Sequence, residues 1–259
     1  MPDRLREALL LEGGGVVSLV GAGGKTSLMY RLAHELAGSG QTVLTTTTTH
    51  VHAPAPEHCA VCILTPNADR ILERAGEALR RHRHISAAAG SAAGSGKLSG
   101  LAPVEIERLK AARVFDWIIV EADGAAGRPL KAPAAHEPVI PPCSGWTVGV
   151  VGLQALGQPL IDPWVFRMDA FARLTGLAPG AAVTAEAVAA ACAHESGLFK
   201  GTPADCRCLA FLNRADSSDR KAAAARIAAL IQRTGGSKVR RVIAGQVLAE
   251  PPVSAVFDL

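Results

Sequence analysis

The sequence contains no long apolar run: nowhere in its 259 residues does it approach the ~18 uninterrupted apolar positions that a membrane-crossing helix needs. Its first fifteen residues, MPDRLREALLLEGGG, mix both charge signs around an apolar stretch too short for a secretory core. A cytoplasmic protein with no membrane partner is expected. Charge bias is also weak. A net charge of +4 with scattered basic residues lacks the footprint of a dedicated nucleic-acid binder, and it suits a small anionic ligand better. The 6 cysteines are few for a stapled scaffold, and a cytosolic setting keeps thiols reduced, so no disulfides are expected. Cys59 and Cys62 form a C-x-x-C and Cys206 and Cys208 a C-x-C, but the spacing between the pairs matches no closed zinc ribbon. They read as packing residues. Cys143, between prolines and Gly145, is the candidate reactive thiol. No repeat and no clear linker are present.

What the chain does have is 49% hydrophobic and 19% charged residues, a globular balance sufficient for one large core or two modest ones. The run VVSLV, a glycine turn, and Leu28, Met29, Leu32, Ala33 and Leu36 on one helical face predict a strand, turn and helix. Gln41 to Thr48 predicts a β-branched strand that turns polar at its end. A helix over Asn67 to Arg83 and a strand over Ile85 to Ala89 form a further α/β unit. The Ala/Gly/Ser-rich stretch from Ser86 to Gly100 predicts a mobile loop for want of apolar anchors. Pro103 to Arg113 reads as a helix, and FDWIIV (115–120) as a strand buried on both faces. TVGVVGL (147–153), CLAFL (208–212) and VRRVIA (239–244) predict further strands. Helices are expected within 163–175, 185–194 and 218–234. This alternation predicts an α/β fold, a doubly wound, mostly parallel sheet, in one domain over 1–259 with a possible helical lobe at about 162–200.

The turn GAGGKTS spans Gly21, Ala22, Gly23, Gly24, Lys25, Thr26 and Ser27. Its glycines can adopt backbone angles closed to other residues and leave bare N–H groups facing an anion, while the following helix directs its positive end there. Lys25 suits the β- and γ-phosphates and the Thr26 hydroxyl suits Mg²⁺, with Ser27 the weaker metal candidate. The loop is two residues shorter than G-x-x-x-x-G-K-[ST], because the position five before Gly24 is Leu19. A short loop of this kind is also reminiscent of Mur-type ligases, so the turn predicts a phosphate site without naming a reaction.

Two further motifs follow apolar strands. In EADGAAGR (121–128), Glu121 and Asp123 project from one face at a strand's carboxyl end, where ligands sit in open α/β sheets. Glu121 is assigned to the metal and Asp123 to orienting water, with the exchanged roles left open. Both count as catalytic and metal candidates beside Lys25 and Thr26. NRAD (213–216) resembles the N-K-x-D signature that reads guanine, with Asn213 holding the loop, Asp216 accepting from the base, and Arg214 covering the ring. The alternative is an ordinary turn. Thr45 to His50, TTTTTH, could contact Mg²⁺ or a γ-phosphate, or could simply end a strand. Arg128 and Lys131 are candidates for the nucleotide's phosphates or a second anion, and His136 and Glu137 for a partner or metal; solvated loop charge is the alternative.

With the glycine turn, TTTTTH, VEADGAAGRPLKAPAAHEPVIP and FLNRAD in place, the chain resembles the YqeC family of selenium-dependent hydroxylase accessory proteins. The resemblance spans nearly the whole chain and is most specific over Glu121 to Pro141. It implies a nucleotide-binding factor for maturation of a bacterial molybdenum hydroxylase, with the client enzyme or a cofactor-maturation protein as partner. The matching residues are Gly21, Gly24, Lys25, Thr26, Glu121, Asp123, Gly124, Arg128, Lys131, Asn213 and Asp216. The expected cofactors are Mg²⁺ and ATP or GTP. Three activities are open: an NTPase, a small-molecule kinase or ligase whose acceptor is held by Arg128, Lys131 and His136, and a module that binds nucleotide without hydrolysing it.

Overall fold

The computed structural model describes residues 4–92, 94 and 96–259. In chain order the elements are α1 (Leu5–Ala8), β1 (Gly15–Gly21), α2 (Lys25–Gly38), β2 (Val43–Thr47), β3 (His50–His52), β4 (Cys62–Leu64) and α3 (Ala68–Ala78). Then come β5 (His84–Ala88), β6 (Gly90–Ala92), β7 (Lys97–Ser99), α4 (Pro103–Ala111), β8 (Trp117–Glu121), β9 (Leu130–Lys131) and β10 (Trp146–Gly152). The remainder is β11 (Val165–Phe166), α5 (Met168–Thr175), α6 (Ala185–Ala193), β12 (Arg207–Asn213), α7 (Ser218–Arg233), β13 (Val239–Gly245) and β14 (Val253–Asp258).

A nine-stranded sheet with the order β14-β13-β12-β10-β1-β8-β2-β5-β4 forms the frame. Its pairings are parallel except for β14, which runs antiparallel to β13. Strand β1 lies between β8 and β10, with Leu19 opposite Glu121 and Gly21 opposite Val150. These central strands are buried throughout or nearly so, which explains why they read as unbroken apolar runs instead of alternating ones.

Helices cover both faces. Alternate residues of a strand point to opposite sides: Val17 and Leu19 pack with α1 and α2, whereas Val16 joins α3 and α4 and Val20 joins α5, α6 and α7. The α/β doubly wound architecture read from the sequence is therefore the observed one. Helices α5 and α6 share an apolar cluster with β10, β12 and α7. Among the described residues, no helix is long and apolar enough to cross a membrane.

The Ala/Gly/Ser-rich stretch departs from the expected mobile loop. Residues 90–92 and 97–99 pair antiparallel, and β3 pairs with β7, giving a small three-stranded sheet. Two residues of that stretch, Ala93 and Ser95, lie outside the described set, as do residues 1–3 of the amino-terminal segment. The order comes from backbone pairing, together with the buried Leu98, neither of which a composition bias reveals. Sequence periodicity also passed over the short strands β3, β4, β9 and β11, because elements of two or three residues are too short to establish a period, and over β14, whose six residues show no clean alternation of buried and exposed positions.

On the β5 side, His84 is buried and its Nε2 lies 3.0 Å from Thr45 Oγ1. Burial, and then the nearby His34, push its pKa down to about 4. A histidine whose folded pKa is depressed stabilises the fold fully above its unfolded value, and that contribution is lost as pH falls from the unfolded pKa through the folded one. Urea unfolding should therefore show the protein less stable at pH 5 than at pH 7, by on the order of 1–2 kcal/mol from this residue. His84→Asn should flatten that part of the dependence.

Candidate functional site

The glycine turn connects β1 to α2, and its backbone is largely committed inward. Gly21 N–H donates to Asp123 Oδ2 at 3.0 Å, Ala22 N–H to the Val150 carbonyl at 2.8 Å, and Gly23 N–H to the Arg128 carbonyl at 3.1 Å. Gly23 has φ +82, and a Cβ there would lie 2.4 Å from Gly152 N; Gly24 has φ +127, and a Cβ would meet Asn213 Nδ2 at 2.4 Å. Both positions thus need glycine for their backbone angle and for the close approach of neighbouring chain. Gly21 and Ala22, expected among the nucleotide contacts, instead back the loop; the cavity lining begins at Gly23. From there the geometry changes. Helix α2 starts at Lys25 with no side-chain cap on its amides, and Lys25, Thr26 and Ser27 line the cavity. An uncapped helix start of this kind offers N–H donors and positive dipole to an anion.

Lys25 does not extend into solvent. It is 4% exposed; its Nζ donates to the Gly21 carbonyl at 2.6 Å and lies 3.2 Å from Asp123 Oδ1 and 3.8 Å from Glu121 Oε1. Burial works against its charge, but Asp123 and Glu121 outweigh that and raise its pKa above the ordinary value. Thr26 Oγ1 donates to Glu121 Oε2 at 2.8 Å. The strand end thus places Glu121 against both loop side chains, in the cavity wall.

Asp123 sits deeper, 1% exposed. Its Oδ2 accepts from Gly21 N–H and lies 2.9 Å from Lys131 Nζ; its Oδ1 has the Lys25 ion pair but no aligned hydrogen bond. Lys131 is fully buried, bonded also to the Gly124 carbonyl at 2.5 Å and Glu137 Oε2 at 2.7 Å. Glu137 in turn takes two hydrogen bonds from Arg167. Burial opposes the Glu137 charge, yet the bonds from Arg167 and Lys131 dominate and hold its pKa at about 2. Lys131 is thus enclosed as a counter-ion to Asp123 and Glu137, and Asp123 is a brace between two ammonium groups; neither side chain is part of the cavity lining.

The cavity in front of the loop has a volume of about 680 Å³. Gly124 to Arg128 form one edge. Arg128, at the end of that edge, has its Nη2 2.6 Å from Asp162 Oδ2 and its Nη1 donating to the Ala126 carbonyl. On the β12 side Asn213 holds three pieces of backbone: its Nδ2 donates to the Gly23 carbonyl at 2.8 Å, and its Oδ1 accepts from Arg214 N–H at 2.9 Å and Val247 N–H at 3.1 Å. Asp216 pairs with Arg220 at 2.6 Å and is not part of the lining. His136 likewise stands outside the lining, while Glu137 serves the internal ion-pair chain.

Sequence reasoning missed Gln154, Gln246, Val247 and Leu248, which also line the cavity. Gln154 Oε1 is buried without a hydrogen-bond partner. The detectable signal was positional: each follows a parallel strand, β10 or β13, at its carboxyl end. His52 and Lys97 were missed because β3 and β7 were not recognised as strands. The cysteines are free, and no group of three or more metal-ligating side chains occurs among the described residues. Burial raises the Cys143 thiol, which runs against the lowered pKa that a reactive thiol needs.

Removing the Lys131 ammonium leaves two buried carboxylates facing each other without their shared cation. Lys131→Met should accordingly cost about 3–5 kcal/mol in denaturant unfolding. Asp216→Ala, which breaks a partly exposed pair, should cost less than about 1 kcal/mol.

Residues 17–169 match the family model described as YqeC protein. The chain is 34% identical over 247 residues to "Uncharacterized protein YqeC" of Escherichia coli (strain K12), covering 93% of this chain and 91% of that protein. Among solved structures it is similar to the signal recognition particle 54 kDa protein from Aeropyrum pernix K1 in complex with GDP, at 18% identity and a TM-score of 0.41. It is similar also to FtsY from Mycoplasma mycoides, at 12% identity and a TM-score of 0.40. These alignments take in 95% and 94% of this chain but only 44% and 63% of the other two. By its match to the family model and its likeness to the Escherichia coli relative, the chain belongs to the YqeC family.

Proposed function

We propose that this protein binds a Mg²⁺–nucleoside triphosphate in the cavity before the glycine turn and hydrolyses it. One observation carries the reading: the uncapped start of α2, Lys25 and Thr26 converge with Glu121 on one wall of a single cavity. Backbone amides and a lysine receive phosphate oxygens, and a hydroxyl beside a carboxylate offers the hard oxygen donors that Mg²⁺ takes together with phosphates and water. Thr26 and Glu121 fit this metal by their chemistry. Asp123 does not, its charge being balanced by Lys25 and Lys131. When bound, Mg²⁺ supplies charge neutralisation across the β- and γ-phosphates.

The protein's own residues contribute the rest. Lys25 leaves its ion pairs with Asp123 and Glu121 and turns its ammonium to the phosphates, where it stabilises charge on the transferring phosphoryl group. Glu121 would hold the metal together with Thr26, and its carboxylate would orient water for attack. The base lies toward Arg214, Gln246 and Leu248. Hydrolysis is expected to be slow until a client completes the cycle, and the client we propose, a molybdenum hydroxylase or one of its maturation factors, rests on the family resemblance alone.

Calorimetry with ATP, ADP, GTP and GDP, with and without Mg²⁺, tests this directly. Lys25→Ala should abolish Mg²⁺-dependent triphosphate binding, and unchanged affinity would remove the site. Thr26→Val should weaken triphosphate binding in Mg²⁺ while leaving metal-free diphosphate binding nearly intact. Asp216→Asn should leave base preference unchanged; a shift from guanine toward xanthine nucleotides would return Asp216 to the base.

A further inference from the structure

The cavity extends past the glycine turn to a wall that the nucleotide reading leaves unused. Strand β3 carries His50 and His52 two residues apart, which places both imidazoles on one face. Both are exposed, both line the cavity, and neither imidazole has a partner among the described residues. Lys97 on β7 lies directly opposite His52 in the antiparallel register and also lines the cavity. Two imidazoles and a lysine ammonium gathered on one wall are all able to donate N–H hydrogen bonds, which suits this wall to an anion placed against it. Among the described residues, Glu121 is the sole carboxylate in the lining.

Strand order says where that anion would lie. Along the carboxyl edge of the sheet, β12 and β13 stand to one side of β1, beyond β10, while β8 and β2 stand to the other. Chain β2 runs on directly into β3. A nucleotide with its base at the β12–β13 end and its phosphates on the β1 turn therefore directs its terminal phosphate toward Glu121 and the histidine wall. Of the residues expected to hold an acceptor, Arg128 lines the cavity but is paired with Asp162, Lys131 is enclosed, and His136 stands outside the lining.

We propose that His50, His52 and Lys97 form a subsite for the phosphate or carboxylate group of a second small molecule, bound beyond the terminal phosphate of the nucleotide. The inference rests on the nucleotide reading for its orientation. It makes the protein a two-ligand enzyme or a nucleotide-gated binder of an anionic metabolite instead of an NTPase acting alone.

The test uses the full chain saturated with Mg²⁺ and ADP and titrated separately with inorganic phosphate and with citrate, read through the histidine ring signals in carbon–proton NMR. His50→Gln and His52→Gln assign the signals. A shift of both rings with one of the two anions, while ADP stays bound, supports the subsite and tells phosphate from carboxylate. The double variant should bind that anion roughly tenfold more weakly or worse, with ADP affinity within about twofold of wild type. Rings that respond to neither anion, or a response that occurs only as phosphate displaces ADP, would overturn the proposal. Failure of ADP to bind would instead remove the nucleotide reading; phosphate titration of Lys25→Ala then decides the subsite by itself, a response of both rings keeping it and silence removing it.

Discussion

The Asp123 carboxylate organises everything around the glycine turn. It is enclosed, it receives the first amide of the turn, and it faces an ammonium group on either side, Lys25 at 3.2 Å and Lys131 at 2.9 Å. A carboxylate so deeply placed is tolerable only while opposite charge and hydrogen bonds offset its lost hydration. Lys131 meets the same condition through Glu137, and Glu137 through Arg167. The result is a chain of alternating charges from the turn to the start of α5, each member enclosed or half-enclosed and each fixed by the next. Lys25 is the one link with access to the cavity, and so the one that a ligand's negative charge can draw away.

Two strand ends supply the remaining constraints. Glu121 is the last residue of β8 and sits level with Leu19 of β1, which carries its carboxylate to the first turn of α2. Asn213 is the last residue of β12 and reaches the turn from the other direction. The parallel sheet thus brings side chains far apart in sequence to one edge. This is the physical reason that ligands collect at the carboxyl ends of such strands.

Much of this arrangement could be read from the sequence, and the unread part has a common cause. The long elements were legible because unbroken apolar runs such as WIIV and helical spacings such as Leu28, Leu32 and Leu36 repeat long enough to declare a period. The identities of the loop, Glu121 and Asn213 were legible because each motif abuts such a run. What did not show was direction. Sequence adjacency makes Asp123 and Lys131 look like ligands beside Glu121 and Arg128, but whether a side chain turns outward or inward is set by tertiary partners that lie elsewhere in the chain, Glu137 and Arg167 among them. The short β3–β7–β6 sheet was hidden for a related reason: its order lies in backbone pairing, which leaves little mark on side-chain composition.

Asn213 uses both ends of its amide on main chain, the nitrogen on the glycine turn and the oxygen on the segments that follow β12 and β13. An amide has one carbonyl and one amino end in fixed relation, so these three segments share a single rigid joint. The turn that would receive phosphate cannot lift away from Asn213 without breaking the bond to Gly23, and rotation of that amide would release Val247 in the same movement. The glycine turn at one end of the cavity and Val247 at the other are thereby held by one planar group.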